Sequence, residues 1–371
     1  MPPVPSDELL PISEGPRVVI YHQTHHKPDS EEPVSLLPLI TKPTGVTHVI
    51  IAAVHLNTQP GDLTLNDNPP SHPKFATLWS EVSWLRAAGI KILAMLGGAA
   101  KGTFARLDSE SKDDFMAYYS LLRDFLRTYS LDGIDLDVEE EMSLPGIIRL
   151  IDTLRSDFGP DFLITMAPVA TALLPAQPHL SGFSYFDLER QRGQEIAWYN
   201  TQFYCGWGDA STPFWYDAII ASGWASGRVV MGLLTSPKLG AGYVGWEKLE
   251  GVLRGLRWRY GTAFGGIMGW EYFCAEPGGE ARPWEWVEKV GGVVRRKVAL
   301  EAPAEAGGQG QQTQQVPLRP FGAALPAPAH AYPAESVKTL QELGFDQQQA
   351  VAALNVTDGN VEQAAGLLFA D

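Results

Sequence analysis

Short runs of β-branched and aromatic residues alternate with amphipathic segments almost to residue 300. The runs RVVIY (17–21), THVIIAAV (47–54), KILAML (91–96) and DGIDLDVE (132–139) come first. FLITMA (162–167), YNTQFYC (199–205), RVVMGLL (228–234) and FGGIMGW (264–270) follow. Between them, segments such as FATLWSEVSWLRAAG (75–89) and DDFMAYYSLLRDFLRTYS (113–130) carry the three-and-four spacing of helices with one apolar face. Eight strands alternating with helices over about 280 residues predict a closed (β/α)8 barrel, a TIM barrel. An open doubly wound sheet is the alternative, but no glycine-rich fingerprint follows the first run.

The pattern stops near residue 299. The stretch EAPAEAGGQGQQTQQVPLRPFGAALPAPAHAYP is rich in Gly, Gln, Ala and Pro and carries no apolar period. Such a segment buries too little surface to offset its ordering entropy, so it reads as a linker. Periodicity then returns. Ser336 is placed to cap VKTLQEL, Asp346 with Gln349 precedes AVAAL, and Asn360 with Gln363 precedes AAGLLF. Three short helices in so few residues make a small bundle with a thin core, suited to an adaptor more than to an enzyme. The expected division is a barrel over 15–298, a linker over 299–332 and a bundle over 333–371.

One predicted strand carries unusual chemistry. In LDGIDLDVEE (131–140), Asp135, Asp137 and Glu139 fall at two-residue intervals. Successive strand side chains point to opposite faces, so the three carboxylates share one face and Ile134, Leu136 and Val138 the other. In a barrel, one strand face looks into the interior, where unpaired carboxylates cost several kcal/mol each. A solvated acidic edge strand is the alternative. Barrel active sites gather at the C-terminal ends of strands, and Glu139 lies nearest that end. Beside Asp137 it cannot easily ionise at the same time, so one proton stays in the cluster near neutral pH. A carboxylic acid kept protonated is what a general acid needs.

Composition narrows the partners. Hydrophobic residues make up 45% of the chain, enough for a sizeable core. No apolar run reaches the length of a membrane span. The start, MPPVPSDELLPISEGPRVV, has acids and prolines where a secretory signal has a basic end and an apolar core. With two cysteines, Cys205 and Cys274, this points to a cytoplasmic protein. The net charge of −15 disfavours nucleic acid and anionic membranes as partners. YHQTHH offers His22, His25 and His26 without a neighbouring carboxylate or thiolate, so glycan contact or plain surface is expected there instead of zinc.

DGIDLDVE matches the D-G-x-D-x-D-x-E signature of glycoside hydrolase family 18. LAMLGG, ending at Gly98, resembles that family's third-strand S-x-G-G motif with Met95 in place of Ser. YNTQFY resembles its sixth strand and GGIMGW its eighth, ending in a tryptophan that floors the sugar site. Within the family, VIYHQTHH, LGGAAKGTF, DFGPDFLITMAPVA, LSGFSY, WYNTQFYCGWG and GWEYFCAEPGG resemble fungal endo-β-N-acetylglucosaminidases. Those enzymes cut between the two core N-acetylglucosamines of an N-glycan. In the tail, LGF (343–345) and GNVEQAAGLL (359–368) resemble a ubiquitin-associated (UBA) domain, with Leu343 where Met is usual.

The resemblance implies an enzyme without cofactor or metal, acting as a monomer by a substrate-assisted retaining mechanism. Glu139 is the implied general acid and base, and Asp137 the partner of the substrate's acetamide. Asp135 holds Asp137. Tyr204 donates to the acetamido oxygen with Gln202 beside it, Trp270 floors the sugar, and Tyr21 completes the pocket. Trp207 and Trp215 are candidates for stacking on glycan or for packing. In the UBA-like bundle the implied ubiquitin contacts are Leu343, Gly344, Phe345 and Leu368. A chitinase and a non-catalytic glycan-binding adaptor with a ubiquitin-binding role are the alternatives.

Overall fold

The computed structural model describes residues 8–59, 61–297 and 334–342, with 354 and 361. The expected linker and most of the expected bundle, including Leu343, Gly344, Phe345 and Leu368, lie outside these residues. The helix Ala334–Glu342 covers most of the first helix expected there, but it starts before Ser336, which lies inside it and does not cap it.

Nine strands form the sheet: β1 Arg17–His22, β2 His48–Leu56, β3 Leu63–Leu65, β4 Lys91–Gly97, β5 Gly133–Asp137, β6 Leu163–Met166, β7 Trp198–Gln202, β8 Val229–Leu234 and β9 Gly266–Trp270. Eight of them pair parallel, in chain order, and β1 pairs with both β2 and β9, which closes the barrel. The ninth, β3, was not expected. It lies antiparallel on the far end of β2, as the return of a short hairpin.

Strand alternation sorts the side chains into two layers. Val18, Ile20, Ile134, Leu136 and Val138 face outward into a continuous core under the helices. Val19, Tyr21, Leu93, Met95, Trp198 and Met268 face inward and fill the barrel. The helices follow their sequence signals. Helix Lys112–Thr128 starts where Ser111 accepts from the Asp114 N–H, and it buries Phe115, Tyr119, Leu122, Phe125 and Leu126. Helix Leu144–Phe158 starts at Ser143, which accepts from the Gly146 N–H, with proline in its first turn. Among the described residues no helix is long and apolar enough to cross a membrane.

Two strands end two or three residues earlier than their patterns suggest. β5 stops at Asp137, level with Gly97 at the end of β4, and the Asp137 carbonyl accepts from the Gly98 N–H at 2.9 Å as the last rung between them. Glu139 therefore stands on the loop beyond the strand. β7 stops at Gln202, and Cys205 adopts a left-handed conformation (φ 56°) just after Tyr204.

Candidate active site

The site is built from the bottom of the barrel upward. Asp135, on β5, is fully buried. Its carboxylate accepts from the Tyr21 hydroxyl on β1, the Thr165 hydroxyl on β6, and the Asn200 amide on β7 at 2.9 Å. Burial pushes its carboxyl up, and the bonds from Thr165, Tyr21 and Asn200 pull it back. Met95 stands where the resembled motif has serine, and it is buried in the inner core. Hydroxyls from Tyr21 and Thr165 already serve Asp135, so no hydroxyl is needed from β4.

Asp137 ends β5 one layer higher. The turn after β4 presses on its backbone. At Gly97 (φ 94°) a Cβ would lie 2.6 Å from the Asp137 carbonyl and 2.3 Å from the Phe104 ring, so only glycine fits. The Asp137 carboxyl is raised well above the usual range by burial first, then by the charges of Glu139 and Asp135, with Gln202 opposing. Burial and the two neighbouring charges thus act together to favour the protonated form of Asp137.

Glu139 is half-buried. One carboxylate oxygen accepts from Gln202 Nε2 at 3.1 Å, and an Asp137 oxygen accepts from the same nitrogen at 3.1 Å. That nitrogen also donates to the Ala167 carbonyl at 3.0 Å, which fixes which end of the amide faces the acids. Two hydrogens shared among three acceptors hold the carboxylates loosely enough for a substrate to displace one bond.

Tyr204 is buried in the inner core, and burial, then Asp137 and Glu139, holds its phenol well above the usual range. It is a neutral donor. Trp270 ends β9 partly exposed, with its ring edge-on to Tyr21 at 5.3 Å. Tyr21 itself is buried, with its hydroxyl on Asp135, and so acts from beneath. The structure thus brings Asp135, Asp137, Glu139, Gln202, Tyr204, Tyr21 and Trp270 to one end of the barrel. Trp207 and Trp215 pack on the outer core.

His22 departs from the expected glycan contact or plain surface, whereas His25, though buried, lines a cleft. Both are buried, with rings 4.9 Å apart, His25 against Phe75 and His22 against Tyr272. Burial pulls His25 down to about 4, so it is neutral at pH 7. His26 reaches an open cleft.

Four further residues matter that sequence reading did not single out. Thr165 and Asn200 hold Asp135; Asn200 lies two positions before Gln202, and strand parity could have found it. Glu140 accepts from the Gly102 and Phe104 N–H groups, both at 2.7 Å, and ties the loop beyond Glu139 to the loop after β4. Glu271 accepts from the Gln23 and Thr24 N–H groups at 2.9 and 2.8 Å, and ties the residue after Trp270 to the loop after β1. Beyond these loops opens a cleft of about 610 Å³, lined mainly by polar and basic side chains, with Phe75 its one aromatic ring apart from histidines.

Residues 17–173 match the glycosyl hydrolases family 18 sequence family, and residues 332–368 match the UBA/TS-N domain. A solved structure of a fungal endo-beta-N-acetylglucosaminidase from glycosyl hydrolase family 18 is 48% identical, with a TM-score of 0.72 over 76% of this chain and 98% of that one. The chain belongs to glycoside hydrolase family 18. The family 18 barrel is also similar to the structure of a chitinase from Aspergillus fumigatus, 54% identical, with a TM-score of 0.69 over 73% of this chain and 96% of that one. More distantly, it is 23% identical over 251 residues to Endochitinase 4 of Metarhizium anisopliae, spanning 56% of this chain and 87% of that protein. The family 18 barrel is joined to a C-terminal UBA domain in one chain.

Proposed function

We propose that this chain is an endo-β-N-acetylglucosaminidase that hydrolyses the β1,4 bond between the two core N-acetylglucosamines of N-glycans. The reading rests first on one observation: Gln202 joins Asp137 and Glu139 through a single amide nitrogen, above a fully bonded Asp135. The substrate's acetamido oxygen attacks the anomeric carbon as the glycosidic bond breaks, and Glu139 gives its proton to the leaving oxygen. Asp137 accepts the acetamide N–H and stabilises the positive oxazolinium-like ring. The proton that Asp137 holds at rest must pass to Glu139 on the way, which arms the acid and leaves Asp137 an anion. Tyr204 donates to the acetamido oxygen, and Trp270 floors the sugar. Water then attacks the anomeric carbon, Glu139 takes its proton, and the acetamide is restored with retained configuration.

The similarity to the endo-beta-N-acetylglucosaminidase structure supports an N-glycan substrate, and the polar cleft on the neighbouring loops suits its branches. Linear chitin presents ring faces for aromatic stacking, whereas this cleft offers amides, hydroxyls and cations. The chitinase reading draws on the similarity to the Aspergillus fumigatus structure. Comparing kcat/KM for a high-mannose glycoprotein and a chitin oligosaccharide decides between them. Higher values on the glycoprotein are expected; cleavage of chitin alone would overturn the proposal.

The proposal extends to the whole chain: a barrel over 15–298, a linker over 299–332 and a bundle over 333–371 that binds ubiquitin through Leu343, Gly344, Phe345 and Leu368. Both cysteines are free and Cys205 is exposed, which suits the reducing cytosol. The substrates there are ubiquitinated N-glycoproteins, chiefly misfolded ones.

A further inference from the structure

The cleft on the loops after β1 and β4 has a charge opposite to that of the chain as a whole. The formal net charge is −15, yet Lys74, Lys101 and Arg106 line this one cleft with His26 and His55, against the single carboxylate Asp67. Many surface cations elsewhere are paired: Arg86 and Lys91 with Asp132, Arg192 with Asp152, Arg282 with Glu285. Among the described residues Lys74, Lys101 and Arg106 form no ion pair. Arg106 donates to the Thr58 hydroxyl at 3.1 Å, and the Lys74 ammonium lies 5.2 Å from the Phe75 ring centre.

The walls that carry these cations are anchored. Lys101 precedes Gly102 and Arg106 follows Phe104, the two residues whose N–H groups Glu140 holds. Opposite, Glu271 holds Gln23 and Thr24, and the Asn66 amide donates to the Gln23 carbonyl at 2.9 Å. None of the site residues named above lines the cleft, but its walls share anchors with the site: Glu140 and Glu271, which hold them, directly follow Glu139 and Trp270 in the chain.

We propose that this cleft receives a phosphate-bearing branch of the glycan, so that phosphorylated oligomannose glycans are preferred over neutral ones. The inference rests on the N-glycan reading above. A neutral sugar is satisfied by hydroxyl and amide partners and gives no use to the three cations that line this cleft. A phosphate monoester carries about −1.5 to −2 charge at neutral pH and offers three acceptor oxygens. Arginine grips it through two parallel N–H groups, and the lysines add point charge. Asp67 beside His55 sets the limit of the positive zone.

Calorimetry with the full-length Glu139→Gln chain tests this, using two oligomannose glycans of equal size, one bearing a phosphate monoester. The phosphorylated glycan is expected to bind about five- to tenfold more tightly at low salt, with the ratio shrinking as ionic strength rises. Adding Lys101→Gln with Arg106→Gln should lower that ratio, and adding Asp67→Asn should raise it. Equal or weaker binding of the phosphorylated glycan, or a ratio indifferent to salt and to these charges, would overturn the inference. A glycan capped by a sugar carboxylate and bound equally tightly would overturn the assignment to phosphate. If wild-type protein cleaves the neutral glycan and no phosphate preference is found, the inference alone fails. If it cleaves no N-glycan at all, the N-glycan reading fails as well.

Discussion

Gln202 donates its side-chain amide to Glu139 across 3.1 Å, from the end of β7 to the loop beyond β5. The same nitrogen holds Asp137, so one neutral side chain sets the geometry of both acids. Gln202→Leu removes that donor. Turnover should fall about tenfold or more through lost positioning. Because the Gln202 bond lowers the Asp137 carboxyl, its loss lets that group rise further, and the limb of the pH–rate profile that reports it moves to higher pH. An unchanged profile would remove Gln202 from the machinery.

Glu139→Gln keeps the shape and removes the transferable proton. Activity should fall by about two orders of magnitude or more. Thermal stability should be unchanged or slightly improved, since one repelling carboxylate is gone. Near-normal turnover would show that the acid is elsewhere.

Asp137→Asn tests where the resting proton sits. The folded-state carboxyl is raised above its usual 3.8, so its contribution to stability is complete below that value. As pH rises, the unfolded chain releases its proton first, and the contribution is lost up to the folded-state value. Asparagine has no such dependence. The Tm of the variant relative to wild type should therefore climb from about pH 4 towards neutrality. A difference that stays flat with pH contradicts the assignment.

Much of this was legible in the sequence, and the parts that were not share a cause. Strand parity placed Ile134, Leu136 and Val138 under the helices and Asp135 and Asp137 inside, because a period of two leaves no other choice once one face is apolar. It did not show that β5 ends at Asp137, since its pairing runs out with β4, whose last residue, Gly97, lies 40 positions earlier. Glu140 and Glu271 were invisible for the same reason. Each is one acid among many in the sequence, and its work lies in backbone N–H groups of a distant loop. His22 and His25 look polar in sequence but fill space between aromatic rings. The hairpin strand β3 is three residues long, too short for a periodic signal.

Glu140→Ala leaves the Gly102 and Phe104 N–H groups without their acceptor. The cost should be about 1–3 kcal/mol or more, read by denaturant unfolding. Turnover should fall with it, because the loop carrying Glu139 loses its tie to the loop after β4. Stability within experimental error of wild type would mean that the tie is made elsewhere.

Deleting residues 333–371 should leave cleavage of a free glycopeptide unchanged and slow cleavage of a ubiquitinated glycoprotein. A tethered binding module raises the effective concentration at a tagged substrate without new contacts at the active site. Equal loss on both substrates would mean instead that this segment supports the barrel.

The central claim is that Asp137 and Glu139 serve a reaction in which the substrate's own acetamide is the nucleophile. Its most direct measurement is the rate on glycans in which the N-acetyl group of the sugar whose glycosidic bond is cleaved carries zero to three fluorines. Fluorine withdraws electrons from the acetamido oxygen, so the account predicts a rate that falls steeply with each one added. A rate indifferent to fluorination, with a glycosyl adduct trapped on Asp135 or Asp137 in the mass spectrum, would contradict it.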